Sequence, residues 1–376
     1  VQIKQIPESD KKLFKQRYDC ATGRFNLFYL FLELSKHICR FNGFSAYIIP
    51  DRLLLNTQCY NLRTWLLTKQ NVIEIDSFKD SVFSAIVDSI IIFYQNNTKY
   101  RNFIKAKNNV HKKDLSKVTP IKIPLTFFKD SHNSQFDLNY DPTIHHLISK
   151  IRKGCKLLGE ISDTKDGIIQ SKIPDLLFIK KPLDKDSKML LFGKDIIKYQ
   201  CSFNNNWVNY KPDLMKKLEL ERDGGGLRLR KKEIFEREKI LTRQTADEII
   251  GCIDKKNYYY SNTLHGTTIT DKNFDIRYIL SILNSKLMSF YYRKTTSESG
   301  KVFAQIKINI LRKLPIKNVN KSKQKPLINF VNEINHLDKN NSEYNKIIQK
   351  IDQYVYELYE LTDKEIKLIE DFMNSR

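Results

Sequence analysis

The run Phe44-Ser-Ala-Tyr-Ile-Ile-Pro50 is short and almost continuously apolar, the composition of a strand buried on both faces of a parallel sheet. Before it, residues 25–39 (FNLFYLFLELSKHIC) carry a wide apolar stripe that predicts a largely buried helix, with Asn42-Gly43 as its stop. After it, a helix is predicted over 59–69 (CYNLRTWLLTK), then strands at Asn71-Val-Ile-Glu-Ile-Asp76 and Ile86–Tyr94 (IVDSIIIFY). Helix, strand, helix, strand, strand with tight connections is half of an α/β sheet. An open sheet needs more strands than this stretch supplies.

Residues 96–140 are polar and basic, broken by Pro120 and Pro124, with Pro142 just beyond. A linker is expected there, set at 111–144, after a first domain over 1–110. Over 145–320, short strand-like runs (Leu176-Leu-Phe-Ile, Met189-Leu-Leu-Phe, Lys239-Ile-Leu, Tyr258-Tyr-Tyr) alternate with turns such as Asp223-Gly-Gly-Gly. One helix is predicted at about 275–290, from apolar residues at 276, 279, 280, 283 and 287. That mixture predicts an α+β domain. The tail, 321–376, reads as helices: Ile347, Ile351, Tyr354, Val355 and Leu358 repeat at helical spacing, and Thr362-Asp-Lys-Glu365 is a capping box opening a last helix.

The chain has 376 residues, 65 basic and 43 acidic side chains, and a net charge of +22. The excess is +9 over residues 1–140 and +14 over 141–320, and the tail is at −1. Phosphate backbones bind such surfaces through counterion release, so nucleic acid is the expected partner. No apolar run approaches the roughly 18–20 residues that span a bilayer, and no basic amphipathic helix argues for a membrane surface. The N-terminus has no signal-peptide pattern, so a soluble, cytoplasmic chain is expected. The six cysteines form no C-x-x-C pair, which argues for reduced, structural thiols and no metal. No G-x-G-x-x-G or P-loop occurs, and Gly224-Gly-Gly226 runs into Leu-Arg-Leu-Arg rather than a phosphate-binding helix, so it reads as a flexible turn.

Several segments, taken in order, carry a resemblance. They are Phe25–Cys39, Gly43–Pro50, Leu62-Arg-x-x-Leu-Leu67, Val72-Ile-Glu-Ile-Asp76 and Val82-Phe-Ser-Ala-Ile-Val-Asp-Ser-Ile-Ile-Ile92. Further on come Leu190-Leu-Phe-Gly-Lys-Asp-Ile-Ile-Lys-Tyr199, Leu283-Asn-Ser-Lys-Leu287 with Phe290-Tyr-Tyr292, Leu311-Arg-Lys-Leu-Pro-Ile316 and the ending Ile351–Ile366. The chain resembles gamma-class DNA adenine-N6 methyltransferases of type II and IIG restriction–modification systems, with a TaqI-like C-terminal specificity domain. The resemblance implies a fold in three parts: the distal half of a Rossmann-like methyltransferase sheet, an α+β target-recognition domain and a helical tail. It implies double-stranded DNA as partner, a prokaryotic cytoplasm, and S-adenosylmethionine as cofactor of a full-length enzyme. Mg²⁺ would be implied only where a nuclease module is attached.

The family's Asn-Pro-Pro-Tyr loop and its glycine-rich cofactor strand do not occur here. The expectation is that the chain begins just past that loop and does not methylate DNA alone, because the positioning of the adenine amino group is lost. Base flipping still needs an aromatic to stack on the extruded base, and the resemblance places it at Phe83 or Phe78. In the recognition domain it implies DNA contacts at Lys194, Lys198, Arg228, Arg230, Arg243 and Lys301. A non-enzymatic specificity subunit, working with a separate catalytic or nuclease polypeptide, is the alternative reading, and an RNA-binding protein a third.

Overall fold

The computed structural model describes residues 5–83, 88–99, 101–129, 131–296 and 305–375, which fall into two units, Val1–His145 and His146–Arg376. Unit 1 contains α1 (Glu8–Arg17), α2 (Leu27–Ile38), β1 (Phe44–Pro50), α3 (Tyr60–Lys69), β2 (Asn71–Phe78), β3 (Ser89–Gln95), β4 (Phe103–Val110) and β5 (Ile121–Pro124). The five strands form one sheet in the order β1-β3-β2-β4-β5, in which only β2 and β4 run parallel. Ile49, Ile75, Ile90, Ile92 and Ile104 share one face of it and join Leu30, Leu32, Leu62 and Leu66 of the helices in a buried core. Burying such side chains is the main driving force of this half, at about 25 cal/mol per Å² of apolar surface. Arg63 is fully buried in the same layer and donates to the carbonyls of Leu53, Asn56 and Asn133 at 2.8–2.9 Å. The arginine of the Leu-Arg-x-x-Leu-Leu segment is therefore a structural clamp.

Two expectations change here. β1 is an edge strand, antiparallel to β3, and its Phe44, Ala46 and Ile48 face outward rather than into a second core layer. Both of its faces are apolar in sequence, which hid the alternation. The stretch expected to be a linker contributes β5, and its Ile123, Phe128, Phe136 and Leu138 are buried in the core of unit 1. Its polar and proline-rich composition belongs to the turns between those apolar anchors.

Large apolar side chains stand exposed on β1 and on and just after α2. Ile38 is 72% exposed, Phe41 70% and Phe44 71%, with Phe31 and Ile48 also exposed. Exposed apolar side chains of this size are candidates for an interaction surface or an aggregation liability. Phe41→Ser with Phe44→Ser should lower 1-anilinonaphthalene-8-sulfonate fluorescence severalfold and reduce light scattering. The unfolding free energy should stay within about 0.5 kcal/mol per exposed site. Unchanged dye binding would mean the patch is not accessible.

In unit 2, α4 (Pro142–Arg152), which straddles the boundary in sequence, is followed by β6 (Cys155–Leu157), β7 (Ser162–Asp166), β8 (Phe178–Ile179) and β9 (Ser187–Leu191). Then come β10 (Ile196–Ile197), β11 (Gln200–Cys201), β12 (Trp207–Asn209), α5 (Pro212–Glu221), β13 (Lys239–Arg243), β14 (Gly251–Asp254), β15 (Tyr259–Tyr260) and β16 (Leu264–Ile269). Two four-stranded sheets result, β14-β13-β16-β7 and β15-β9-β12-β8, with β10 and β11 as a separate hairpin. Ile168, Leu190, Leu191, Val208, Phe235, Leu241 and Tyr260 form the core between these elements.

The single helix expected at 275–290 is two, α6 (Ile276–Asn284) and α7 (Lys286–Thr295). Ser285 takes an extended backbone and caps α7 by accepting from the Met288 N–H at 3.2 Å. Asn284 both donates to and accepts from Gly251, at 2.9 and 2.8 Å. An apolar stripe continues through this break, so periodicity alone does not reveal it. β17 (Pro315–Lys317) pairs with β6, and the tail forms α8 (Lys321–Ile334), α9 (Ser342–Leu358) and α10 (Asp363–Asn374). The capping box at Thr362 and Glu365 forms as expected. Asp352 of α9 accepts from the Lys286 N–H at 2.8 Å, tying the tail to the start of α7.

Candidate nucleic-acid interface

Beyond buried Leu190 and Leu191, the chain turns at Phe192-Gly-Lys-Asp195. The Asp195 carboxylate is buried and accepts from the Phe192 N–H at 2.7 Å and from the Asn204 amide at 2.8 Å. This lock fixes a tight turn between half-buried Phe192 and exposed Lys194. Gly193 donates to the Thr263 hydroxyl at 2.8 Å, and a Cβ there would lie 3.0 Å from the Thr263 carbonyl. A side chain at 193 would crowd the Thr263 backbone, which would have to give by a few tenths of an ångström.

Strand β8 delivers Phe178 to the same place through its pairing with β12. The Phe178 and Phe192 rings are perpendicular, with centroids 5.3 Å apart. Lys180 donates to Asn206 Oδ1 at 2.6 Å. Arg243, at the end of β13, hydrogen-bonds to the Ile196 carbonyl. Together these residues, with Thr245 and Thr263, line a cleft of about 560 Å³. Among the described residues Lys180, Lys194 and Arg243 line it and no carboxylate does, which favours an entering anion.

Two of the expected DNA contacts, Lys194 and Arg243, thus meet in one cleft although far apart in sequence. Lys198 pairs with Glu248 at 2.8 Å and does not line it. Arg230 is ion-paired with Asp166, has a left-handed backbone (φ 66°), and its carbonyl accepts from the Tyr210 hydroxyl at 2.6 Å. Arg228 is exposed, and its backbone exchanges two 3.0 Å hydrogen bonds with Ile169. The glycine turn before it is held in place. Glu219 accepts from the Gly226 and Leu227 N–H groups at 2.7 Å, and bonds to the Ser171 hydroxyl and these amides keep its carboxyl below the usual range. Lys301 lies outside the described residues.

In unit 1, Phe83 is 55% exposed beyond the end of β2, and the Ser81 hydroxyl donates to its carbonyl at 2.5 Å. Phe78 is half-buried, paired across the sheet with Val110. Of the two aromatics, Phe83 is the one with an open face. Nearby on β2, burial and the neighbouring Glu74 raise the Asp76 carboxyl to about 6, with Lys107 3.8 Å away opposing the shift. The glycines of unit 1 are Gly23, with open space where a Cβ would stand, and Gly43, which faces the Cys39 thiol and Arg40. A cavity beside Gln70 is about 10 Å³, room for one water. Among the described residues of unit 1, these groups do not by themselves fit S-adenosylmethionine.

Sequence reasoning missed Phe178, Lys180, Phe192 and Asn206. A signal for three of them was present, because Phe178-Ile-Lys180 and Phe192-Gly-Lys194 repeat an aromatic two places before a lysine.

A family model described as the TaqI-like C-terminal specificity domain matches residues 188–316, and one described as the Eco57I restriction-modification methylase matches residues 1–83. The chain is 25% identical over 381 residues to RM.MjaORFECS2P of Methanocaldococcus jannaschii, covering 94% of this chain and 30% of that protein. It is 22% identical over 201 residues to the type II restriction enzyme and methyltransferase RM.Eco57I of Escherichia coli, covering 52% of this chain and 20% of that protein. The chain thus spans less than a third of the length of these curated relatives. The type IIL restriction-modification enzyme MmeI, solved in complex with DNA, shares the mixed α/β fold at 12% identity, with a TM-score of 0.51 over 96% of this chain and 53% of that one. The chain is thus similar to an Eco57I restriction-modification methylase over residues 1–83 and to a TaqI-like C-terminal specificity domain over residues 188–316.

Proposed function

We propose that this chain is the DNA target-recognition portion of a site-specific adenine-N6 methyltransferase of a type II or IIG restriction–modification system. The observation that carries the reading is the basic cleft in which Lys194 and Arg243 converge inside the segment matching the specificity domain. Cations position a protein on phosphates, and side chains at the same surface read base edges. Unit 1 acts in this reading as the distal part of a Rossmann-like sheet, supported by β1 standing at the sheet's edge among the described residues with Phe44 and Ile48 exposed on its outer face. The same open edge and face also favour the second reading, a specificity chain docking onto a separate catalytic polypeptide. In either case a complete enzyme would use S-adenosylmethionine.

Competition between duplex DNA and double-stranded RNA tests the reading. Duplex DNA should displace a labelled duplex at tenfold or more lower concentration than RNA of the same sequence. Equal competition would overturn it in favour of RNA binding.

Phe83 stacks on the extruded adenine in this proposal. In the complete enzyme, Phe83→Ala should slow methylation roughly tenfold, within the range of about 1–3 kcal/mol per stacked base. Phe78→Ala should instead lower the unfolding midpoint, because that ring is half-buried in the sheet. Methylation by Phe83→Ala at the parental rate would remove Phe83 from the role.

A further inference from the structure

We propose that the cleft between Phe178, Phe192, Lys180, Lys194 and Arg243 is a nucleotide site: it takes one nucleotide displaced from its stack, base against the aromatics and phosphate among the cations. The DNA source of that nucleotide rests on the function proposed above; the pocket's chemistry does not.

Shape is the first argument. Proteins read an intact duplex by pushing a helix or ribbon into a groove. A concavity of about 560 Å³ cannot do that, and it lies in the size range of sites that enclose a small ligand. What enters it must itself protrude, as a phosphate ridge or an unstacked nucleotide does. The lining separates these two. A phosphate ridge needs cations alone, whereas half-buried Phe178 and Phe192 form an apolar wall with one ring set perpendicular to the other. Such a pair offers a ring face for stacking, which tolerates any base because every base has a π-face.

The polar groups fit the same occupant. Asn206 is buried and spends its amide oxygen on Lys180, which leaves its amide nitrogen as a donor toward a base carbonyl or ring nitrogen. Thr263 Oγ1 accepts from the Gly193 N–H, which holds this side of the cleft in place before anything binds. Lys180 and Lys194 are exposed, at the positions a phosphate would meet. Phe178 and Lys180 lie outside the residues matched by the specificity-domain family. The pocket is therefore assembled by this chain's fold and is not contained in that match.

The test uses the whole chain and three probes. Two are duplexes of one sequence, fully paired or carrying a single unpaired 2-aminopurine; the third is adenosine 5′-monophosphate. The bulged duplex should bind about tenfold more tightly than the paired one, with 2-aminopurine fluorescence quenched by stacking. Phe192→Ala should abolish the preference and the quenching. Phe192→Tyr should restore both. Should Phe192→Ala fail to fold, Lys194→Ala at its exposed position should weaken adenosine 5′-monophosphate binding about fivefold. Monophosphate binding that bulged duplex competes away assigns both probes to one pocket. Monophosphate binding that DNA does not disturb would keep the nucleotide site and overturn its DNA source. Equal affinity for the two duplexes with no monophosphate binding would overturn the site altogether. Absence of paired-duplex binding would count against the proposed function, while the monophosphate arm still judges the pocket.

Discussion

Asp254→Ala is expected to destabilise unit 2 by about 3–5 kcal/mol, the usual consequence of removing one partner from a buried ion pair. Asp254 Oδ2 lies 2.5 Å from Lys239 Nζ, and neither side chain has any exposure. The ammonium also donates to the Phe235 carbonyl at 2.5 Å, and the carboxylate accepts from the Lys256 and Tyr258 N–H groups at 2.8 and 2.9 Å. Burial pulls the Lys239 pKa down, opposed by the Asp254 charge. Without Asp254 the folded pKa falls further while the unfolded one does not. The unfolded state then binds the proton that the folded state gives up, so the variant's stability should rise with pH on the alkaline side. Lys239→Met combined with Asp254→Asn removes both charges but keeps an acceptor for the turn, and should recover at least half of the loss. Urea unfolding monitored by tryptophan fluorescence decides the matter. A loss under about 1 kcal/mol for Asp254→Ala would show that the pair is dispensable.

The second large effect concerns DNA affinity. Lys194→Ala with Arg243→Ala should weaken duplex binding at least about tenfold at low salt. The slope of log affinity against log salt should shrink by about 2, one for each phosphate no longer neutralised. Lys198→Ala and Arg230→Ala provide the contrast. Their charges are already engaged by Glu248 and Asp166, so the slope should change little, and Arg230→Ala should show its effect in stability. If the ion-paired residues altered the slope and the cleft residues did not, the DNA footprint would lie elsewhere on unit 2.

These contrasts also mark the limit of reading residues from a chain. Lys194, Lys198, Arg230 and Arg243 are equivalent as basic residues in basic surroundings. Which of them faces an acid depends on Glu248 and Asp166 being brought beside two of them by folding. The linker expected near residues 111–144 was misjudged for a related reason. Local polarity there is real, but Ile121-Lys-Ile-Pro-Leu-Thr-Phe-Phe128 is itself a largely alternating apolar run, and its Ile123 and Phe128, with Phe136 beyond, are buried in the core. The break at Ser285 escaped because α6 and α7 share one continuous stripe, and only the cap and the Asn284–Gly251 bonds reveal two helices.

Local chemistry was sufficient for the helix over Leu27–Ile38, the strands at Phe44–Pro50 and Asn71–Phe78, the capping box at Thr362 and the excess of positive charge. Each depends on residues within a few positions of one another or on a simple sum over the chain. The direction of β1, the capture of Arg230 by an internal ion pair and the joining of Phe178, Phe192, Lys194 and Arg243 in one cleft depend on strand pairings β1–β3, β8–β12 and β13–β16. Those pairings are chosen by burial and register across long loops, a competition settled only when the whole chain has collapsed.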